Sequence, residues 1–231
     1  MSYTIHRVEQ GSPEWLALRA GRVGASDAGD VDGVAKAGAS TAGRAALLVR
    51  MATERLTGLP TPNGFTNADM QRGHDLEPIC RGLLEADGEM IAQVGYLADN
   101  DRLIGLSPDG VTPDGGLVEL KAPRAHNVWG YWKSARGKSQ LGAVPAGYRN
   151  QVLHALLVKA DAPRLLFAAY SPDLPAGLQL FRCTVERDAV AASLEAYRVS
   201  LVAFLAAVDD EDALMQEMIH GGTENLRTVH R

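Results

Sequence analysis

Ser107-Pro108-Asp109-Gly110, followed by Glu119-Leu120-Lys121, is the stretch on which the reading of this chain turns. Between the two pieces lies Pro113-Asp114-Gly115-Gly116, a run of turn-forming residues. A short hairpin there brings two carboxylates and one ammonium together. Two carboxylates on adjacent strand ends can hold a hard divalent cation such as Mg²⁺. Lys121 shares a strand face with Glu119, because side chains alternate with period two. Cation, water and ammonium are the equipment for hydrolysing a phosphodiester. Plainer readings exist for the same letters. Asp109-Gly110 and Asp114-Gly115 also suit turns between strands, and Glu119 with Lys121 also suits the solvated face of an edge strand. Context decides between them.

The 231 residues, 46% hydrophobic and 22% charged, suffice for one sizeable core with an appended subdomain. We expect a single domain over 1–231, with a core at about 15–185 and a C-terminal helical extension at about 187–220. No apolar run reads as long enough to span a bilayer, and the N-terminus MSYTIHRVEQ lacks the apolar centre of a signal sequence. The expectation is a cytoplasmic protein with no membrane partner. Cys80 and Cys183 form no CxxC pair, which argues against zinc and against a disulfide framework.

The net charge of −5 is unevenly spread: residues 121–164 carry +7 and the remainder −12. Trp129, Tyr131, Trp132 and Tyr148 are interleaved with those bases. Such a stretch suits a nucleic-acid backbone and unstacked bases. Equally, the aromatics suit a core or subunit interface, with the bases simply solvated.

Along the chain, Ser12-Pro13 reads as a helix start, and Ser26 or Asp27 as the cap of the next helix. Residues 33–43 read as small and flexible, 42–56 as a helix stopped by Gly58 and Pro60, and 61–66 as a loop. A long helix is expected over 67–86, weakened by Gly73 and Pro78. Strands follow at 90–97, 103–107 and 117–121, a helix at 148–159, strands at 164–171 and 178–185, then helices at 187–208 and 210–219. This order predicts a mixed α/β sheet flanked by helices. No GxGxxG or P-loop follows a strand, so dinucleotide and NTP binding lose support.

Four segments in order resemble the PD-(D/E)xK nuclease superfamily, in the branch of phage lambda exonuclease and YqaJ-type viral recombinases. They are Trp15-Leu-Ala-Leu-Arg19 with Gly21, Ala25 and Ser26; Arg72-Gly73-His-Asp-Leu-Glu77-Pro78; the Ser107–Gly110 and Glu119–Pro123 pair; and Tyr148-Arg-Asn-Gln151-Val-Leu-His154. The resemblance implies a restriction-endonuclease-like core. It implies Asp109, Glu119 and the Leu120 carbonyl as ligands of Mg²⁺ (or Mn²⁺), one or two ions, with Glu77 in the metal shell directly or through water. Lys121 would position and polarise the attacking water, and Gln151 would orient the lysine or the water. Arg19, Ser26 and Ser107 resemble the pocket for a terminal 5′-phosphate, and Arg124 is the nearest match, at a different spacing, to a further arginine of the family. The implied activity is 5′-to-3′ digestion of one strand of linear duplex DNA to mononucleotides. A single-strand annealing protein would be the functional partner and a homotrimeric ring the assembly. The alternatives are an endonuclease or structure-specific nuclease on the same fold, or a catalytically silent DNA-binding recombination module. Taken alone, Glu77 reads rather as an exposed helix carboxylate paired with Arg81 at i+4.

Overall fold

Residues 2–33, 41–61 and 68–228 are described by the structure, a computed structural model. The expected flexible stretch at 33–43 and the loop at 61–66 fall mostly outside them. In order, the elements are β1 (Tyr3–His6), α1 (Pro13–Arg19), α2 (Ala28–Val31), α3 (Ala42–Thr57), α4 (Ala68–Ala86), β2 (Tyr96–Asp99), β3 (Gly105–Leu106), β4 (Gly110–Val111) and β5 (Leu117–Lys121). Then come α5 (Ala125–Ala135), α6 (Gln140–Ala143), α7 (Arg149–Val158), β6 (Arg164–Tyr170), β7 (Leu180–Glu186) and α8 (Ala191–Thr228).

The caps follow the local chemistry. Ser12 accepts from the Trp15 amide and Pro13 opens α1. α3 is capped by Thr41 and ends at Gly58, whose φ of +67° is left-handed backbone that favours glycine. Pro78 sits inside a helix that still runs from Ala68 to Ala86. Asp27 does not cap forward into α2; its carboxylate turns back to the Gly24 amide at 2.9 Å.

The strands form two sheets. One is antiparallel in the order β1-β2-β3, and the other is mixed in the order β4-β5-β6-β7. β4 and β5 pair antiparallel, β5 and β6 parallel, β6 and β7 antiparallel. A parallel pair cannot be joined by a tight turn, so the chain leaves β5, runs through α5, α6 and α7, and returns as β6. Alternation then sorts the side chains. Leu117, Leu165, Phe167 and Ala169 join the main core with α7 and α8, whereas Val118, Leu120, Leu166 and Ala168 meet Cys80 and Leu84 of α4. The central sheet thus has α7 on one face and α4 on the other.

Several expectations shift. The strand foreseen at 90–97 is instead β2 at Tyr96–Asp99; before it, Ala92 bridges to Val111 and Ile91 packs against the α4 side of the second sheet. β1 was not foreseen: its residues are half or fully exposed and carry no alternation of their own. α5 was also not foreseen. α8 is one helix rather than two, because Asp209 and Asp210 face solvent and do not interrupt its buried row of Tyr197, Leu201, Phe204 and Val208. The sequence reading of no membrane-length segment is corrected as well. Between Asp188 and Gly221 the helix is long and apolar enough to cross a membrane, with mean hydropathy 1.5 in its most apolar window. Alanines and valines with few charges cause this, and in this fold the buried row lies against α3 and α7.

His154 of α7 is fully buried, 2.9 Å from the Tyr197 hydroxyl and 3.1 Å from the Gly105 carbonyl. A carbonyl only accepts, so the ring is protonated at Nε2 and takes the Tyr197 hydrogen at Nδ1. Burial pushes the ring pKa from 6.5 down to about 4. The fold therefore favours the neutral ring. Its contribution is complete above pH 6.5 and is lost as pH falls towards 4, up to about 3 kcal/mol. Urea unfolding of the wild type and His154→Gln across this range should show the gap between them shrinking with acid; a constant gap would contradict this.

Candidate active site

The β4–β5 hairpin is closed by a true turn at one end. Gly115 has φ +83°, the Thr112 amide donates to the Gly116 carbonyl at 2.9 Å, and Arg164 braces Asp114 at 3.0 Å. At the other end Asp109-Gly110 is not a turn. Gly110 opens β4, and a Cβ there would stand 2.2 Å from Ile91 Cγ2, so the close approach of the Ile91 side chain favours glycine.

Asp109 enters just before β4 and its Oδ2 accepts from the Leu120 amide at 2.6 Å. Glu119 is 4% exposed on the α7 face of β5. It accepts from Lys121 Nζ, its neighbour on the same face, and from Gln151 Nε2 of α7 at 2.5 Å. Glu119 and Lys121 are therefore not a solvated edge, since β5 lies between β4 and β6. Gln151 reaches Glu119 rather than the lysine. Lys121 Nζ also lies 5.4 Å from the centre of the Tyr148 ring.

Glu77 comes from α4 on the other side of the sheet. It forms the i,i+4 pair with Arg81 at 3.0 Å, and Arg81 reaches further to the Asp109 carbonyl at 2.7 Å. The surface-pair expectation for Glu77 thus holds together with its place beside Asp109. Glu77, Arg81, Pro108 and Asp109 line a cavity of about 740 Å³, together with Arg7 and Gln93. Arg72, in the same motif as Glu77, instead ties α4 to Ser171 and Asp173 at 3.1 and 3.0 Å.

The charges explain what this pocket wants. Burial first, then the neighbouring Glu119 and Glu77 carboxylates, push the Asp109 pKa well above the ordinary aspartate value; Lys121 and the Leu120 amide pull the other way. Burial works against the Lys121 charge, but Glu119 and Asp109 more than offset it, so the lysine remains an ammonium. Crowded carboxylates of this kind are relieved by a cation. Among the described residues no group of three or more His, Cys, Asp or Glu side chains is placed to hold a metal ion as a cage. A cage is not needed: Mg²⁺ keeps several waters and takes one or two protein carboxylates. The all-oxygen set of Asp109, Glu119 and the Leu120 carbonyl fits such an ion.

A second cluster stands apart from the carboxylates. Trp15 Nε1 donates to Ser107 Oγ at 2.7 Å, and the Arg19 guanidinium lies 4.2 Å from the centre of the Trp15 ring. Arg19 also borders the 24–27 turn, since a Cβ on Gly24 would be 3.5 Å from its Nη2. Ser26 is exposed on that turn. Arg19 and Ser107 are brought together through Trp15; Ser26 is near in the chain but makes no hydrogen bond to either. Arg124 is exposed at the N-cap of α5, three residues past Lys121. Trp15, Arg81 and Tyr148 are the site neighbours that sequence reasoning gave no part in the chemistry. Each left a signal: Arg81 its i+4 spacing from Glu77, Trp15 and Tyr148 their places at the head of two of the family segments.

A YqaJ-like viral recombinase domain matches residues 14–162. The chain belongs to that family. Within it, the alkaline exonuclease LHK-Exo from Laribacter hongkongensis is 31% identical, covering 91% of this chain and 99% of its own, with a TM-score of 0.71. The same enzyme in complex with dAMP gives 30% identity, equal coverage and a TM-score of 0.72. A phage-related exonuclease from Haemophilus somnus 129PT shares the fold, with 17% identity over 85% of this chain and 96% of its own, and a TM-score of 0.60. No curated protein sequence matches the chain. The fold is that of the lambda-exonuclease-like PD-(D/E)xK nucleases, and family and neighbours support a nuclease of that type.

If Glu77 presses on Asp109 by like charge, Glu77→Gln should lower the pH at which Asp109 titrates in the metal-free protein. Carboxyl ¹³C shifts followed against pH would read this directly; an unmoved midpoint would place Glu77 too far away to matter.

Proposed function

We propose that the chain is a metal-dependent exodeoxyribonuclease that digests one strand of linear duplex DNA from the 5′ end, releasing mononucleotides and leaving a 3′ single-stranded tail. The observation that carries this reading is the meeting of Asp109, Glu119, Lys121 and Gln151 on one hairpin and one helix, in a member of a viral recombinase family. The neighbour LHK-Exo, an alkaline exonuclease seen with the mononucleotide dAMP, supports it.

Asp109, Glu119 and the Leu120 carbonyl would hold one or two Mg²⁺ or Mn²⁺ ions, with Glu77 joining directly or through water. Such an ion supplies positive charge against the phosphate oxygens and makes a water acidic enough to attack. The chain's own groups do the rest. Lys121, an ammonium, donates to the attacking water and to the phosphate and stabilises the negative charge that builds there. Gln151 fixes the Glu119 carboxylate and leaves its own amide oxygen as an acceptor for the water. Arg19 with Ser107 and Ser26 grips a terminal phosphate dianion, a task suited to a guanidinium fork and hydroxyl donors, with Arg124 as a further contact. Holding the strand end at a fixed distance from the carboxylates is what gives digestion a direction. A trimeric ring around the duplex and a single-strand annealing protein as partner complete the proposal; both rest on the family resemblance.

End-labelled duplex DNA tests this. The wild type should release 5′-terminal nucleotides only with divalent ion and should spare a closed circle; rapid cutting of the circle would point to an endonuclease. Asp109→Ala and Lys121→Ala should each lose roughly 10²–10³-fold in rate while remaining folded by circular dichroism. Unchanged release in both would mean that the proposed site is wrong; no release by the wild type would favour a silent binding module. Arg19→Ala should cost roughly 10–100-fold on 5′-phosphorylated ends and much less on 5′-hydroxyl ends; equal losses on the two would remove the pocket from the scheme.

A further inference from the structure

Arg81 is placed unlike an ordinary surface partner of Glu77. An exposed i,i+4 pair is worth about 0.3–0.5 kcal/mol and needs no third group. The Arg81 side chain is only 12% exposed, and its fork straddles two elements. One nitrogen holds Glu77 Oε1 at 3.0 Å within α4, and the other holds the Asp109 carbonyl at 2.7 Å on the loop entering β4. Glu77 stays one-third exposed, with Oε2 outside this bond. All three residues line the same cavity. α4 packs against β5 and β6 through Cys80 and Leu84, which flank Arg81 along the helix.

We propose that Arg81 is a positioning residue that sets how tightly the site takes its divalent ion. By clamping Glu77 to the peptide of Asp109, the guanidinium fixes the distance between the helix-borne carboxylate and the loop-borne one. This deepens the functional reading above and rests on Asp109, Glu119 and Glu77 facing the ion. Two effects of Arg81 oppose each other. Its charge repels a cation, but the Glu77 carboxylate at 3.0 Å offsets much of that charge. Loss of a group that orients metal ligands typically costs 10–100-fold in metal affinity, so the orienting effect should win. Lysine would keep the charge and lose the fork, since one ammonium cannot span both acceptors in a planar geometry.

The experiment is calorimetric or electron-paramagnetic titration of Mn²⁺ into the full chain without DNA, with DNA-dependent turnover measured separately. We expect Arg81→Gln to weaken Mn²⁺ binding roughly 10–100-fold and Arg81→Lys to weaken it by less, with the loss concentrated in the ion concentration needed rather than in the rate at saturating ion. Glu77→Gln and the double variant Glu77→Gln/Arg81→Gln should bind Mn²⁺ alike, because the clamp has nothing left to position. Should Arg81→Gln be unfolded by circular dichroism, Arg81→Lys and the Glu77→Gln background decide. Wild-type or tighter Mn²⁺ binding in the Arg81 variants, or additive losses in the double variant, would overturn the proposal while leaving the nuclease reading intact. If Asp109→Asn binds Mn²⁺ as the wild type does, the ion site itself is misplaced and this inference falls with it.

Discussion

A carboxylate in the middle of a sheet costs several kcal/mol unless it is matched, and Glu119 is matched twice, by Lys121 and by Gln151. Much of the architecture follows from that requirement. The ammonium comes from the same strand face, which fixes the spacing of two residues. The amide comes from α7, which covers that face only because β5 and β6 are parallel and the connection must cross over the sheet. The opposite face of the same strand, through Val118 and Leu120, seats α4 and so delivers Glu77 and Arg81 from the other side. The two helical layers are not decoration around a hairpin; each supplies a group that the hairpin alone lacks.

The basic, aromatic segment from Lys121 to Arg164 divides once its contacts are known. Tyr131 and Trp132 stack edge-on against Phe181, and Trp132 donates to the Leu178 carbonyl at 3.0 Å. Tyr148 packs on Phe167 and under the Lys121 ammonium. Arg149 binds the Gly142 and Val144 carbonyls, Lys159 pairs with Asp161, and Arg164 with Asp114. These groups hold α5, α6 and the sheet together. Arg124, Lys133, Arg136 and Lys138 are exposed at the start of α5, on it and on the loop beyond it, with Trp129, and are the part of the segment whose charge faces outward. Composition registered the charge correctly but could not separate spent cations from solvated ones.

The sheet core and the site were legible for the same reason: period-two alternation in 117–121 and turn chemistry at 113–116 both act over a few residues. Glu77 and Gln151 were reached only through the family resemblance, because nothing local in α4 or α7 says which face meets the hairpin. α5 escaped notice because Gly130 and the aromatic run obscure a helix whose support comes from distant Phe181 and Leu178. β1 escaped because its pairing with β2 joins residues far apart in sequence. The split foreseen at Asp210 failed because a run of acids on the wet side leaves the buried row of α8 untouched. Ser107 lies far along the chain from Trp15 and Arg19 of α1, and only the fold shows the indole as the link between the hydroxyl and the guanidinium.

The 2.2 Å clearance at Gly110 ties residue 91 to residue 110. Wherever an isoleucine-sized branch occupies position 91, drift at 110 is blocked, and only a smaller residue at 91 opens room for a methyl beside the aspartate. Among related chains the two positions should therefore vary as a pair, so that a side chain with no chemical part in the reaction polices the spelling of the motif.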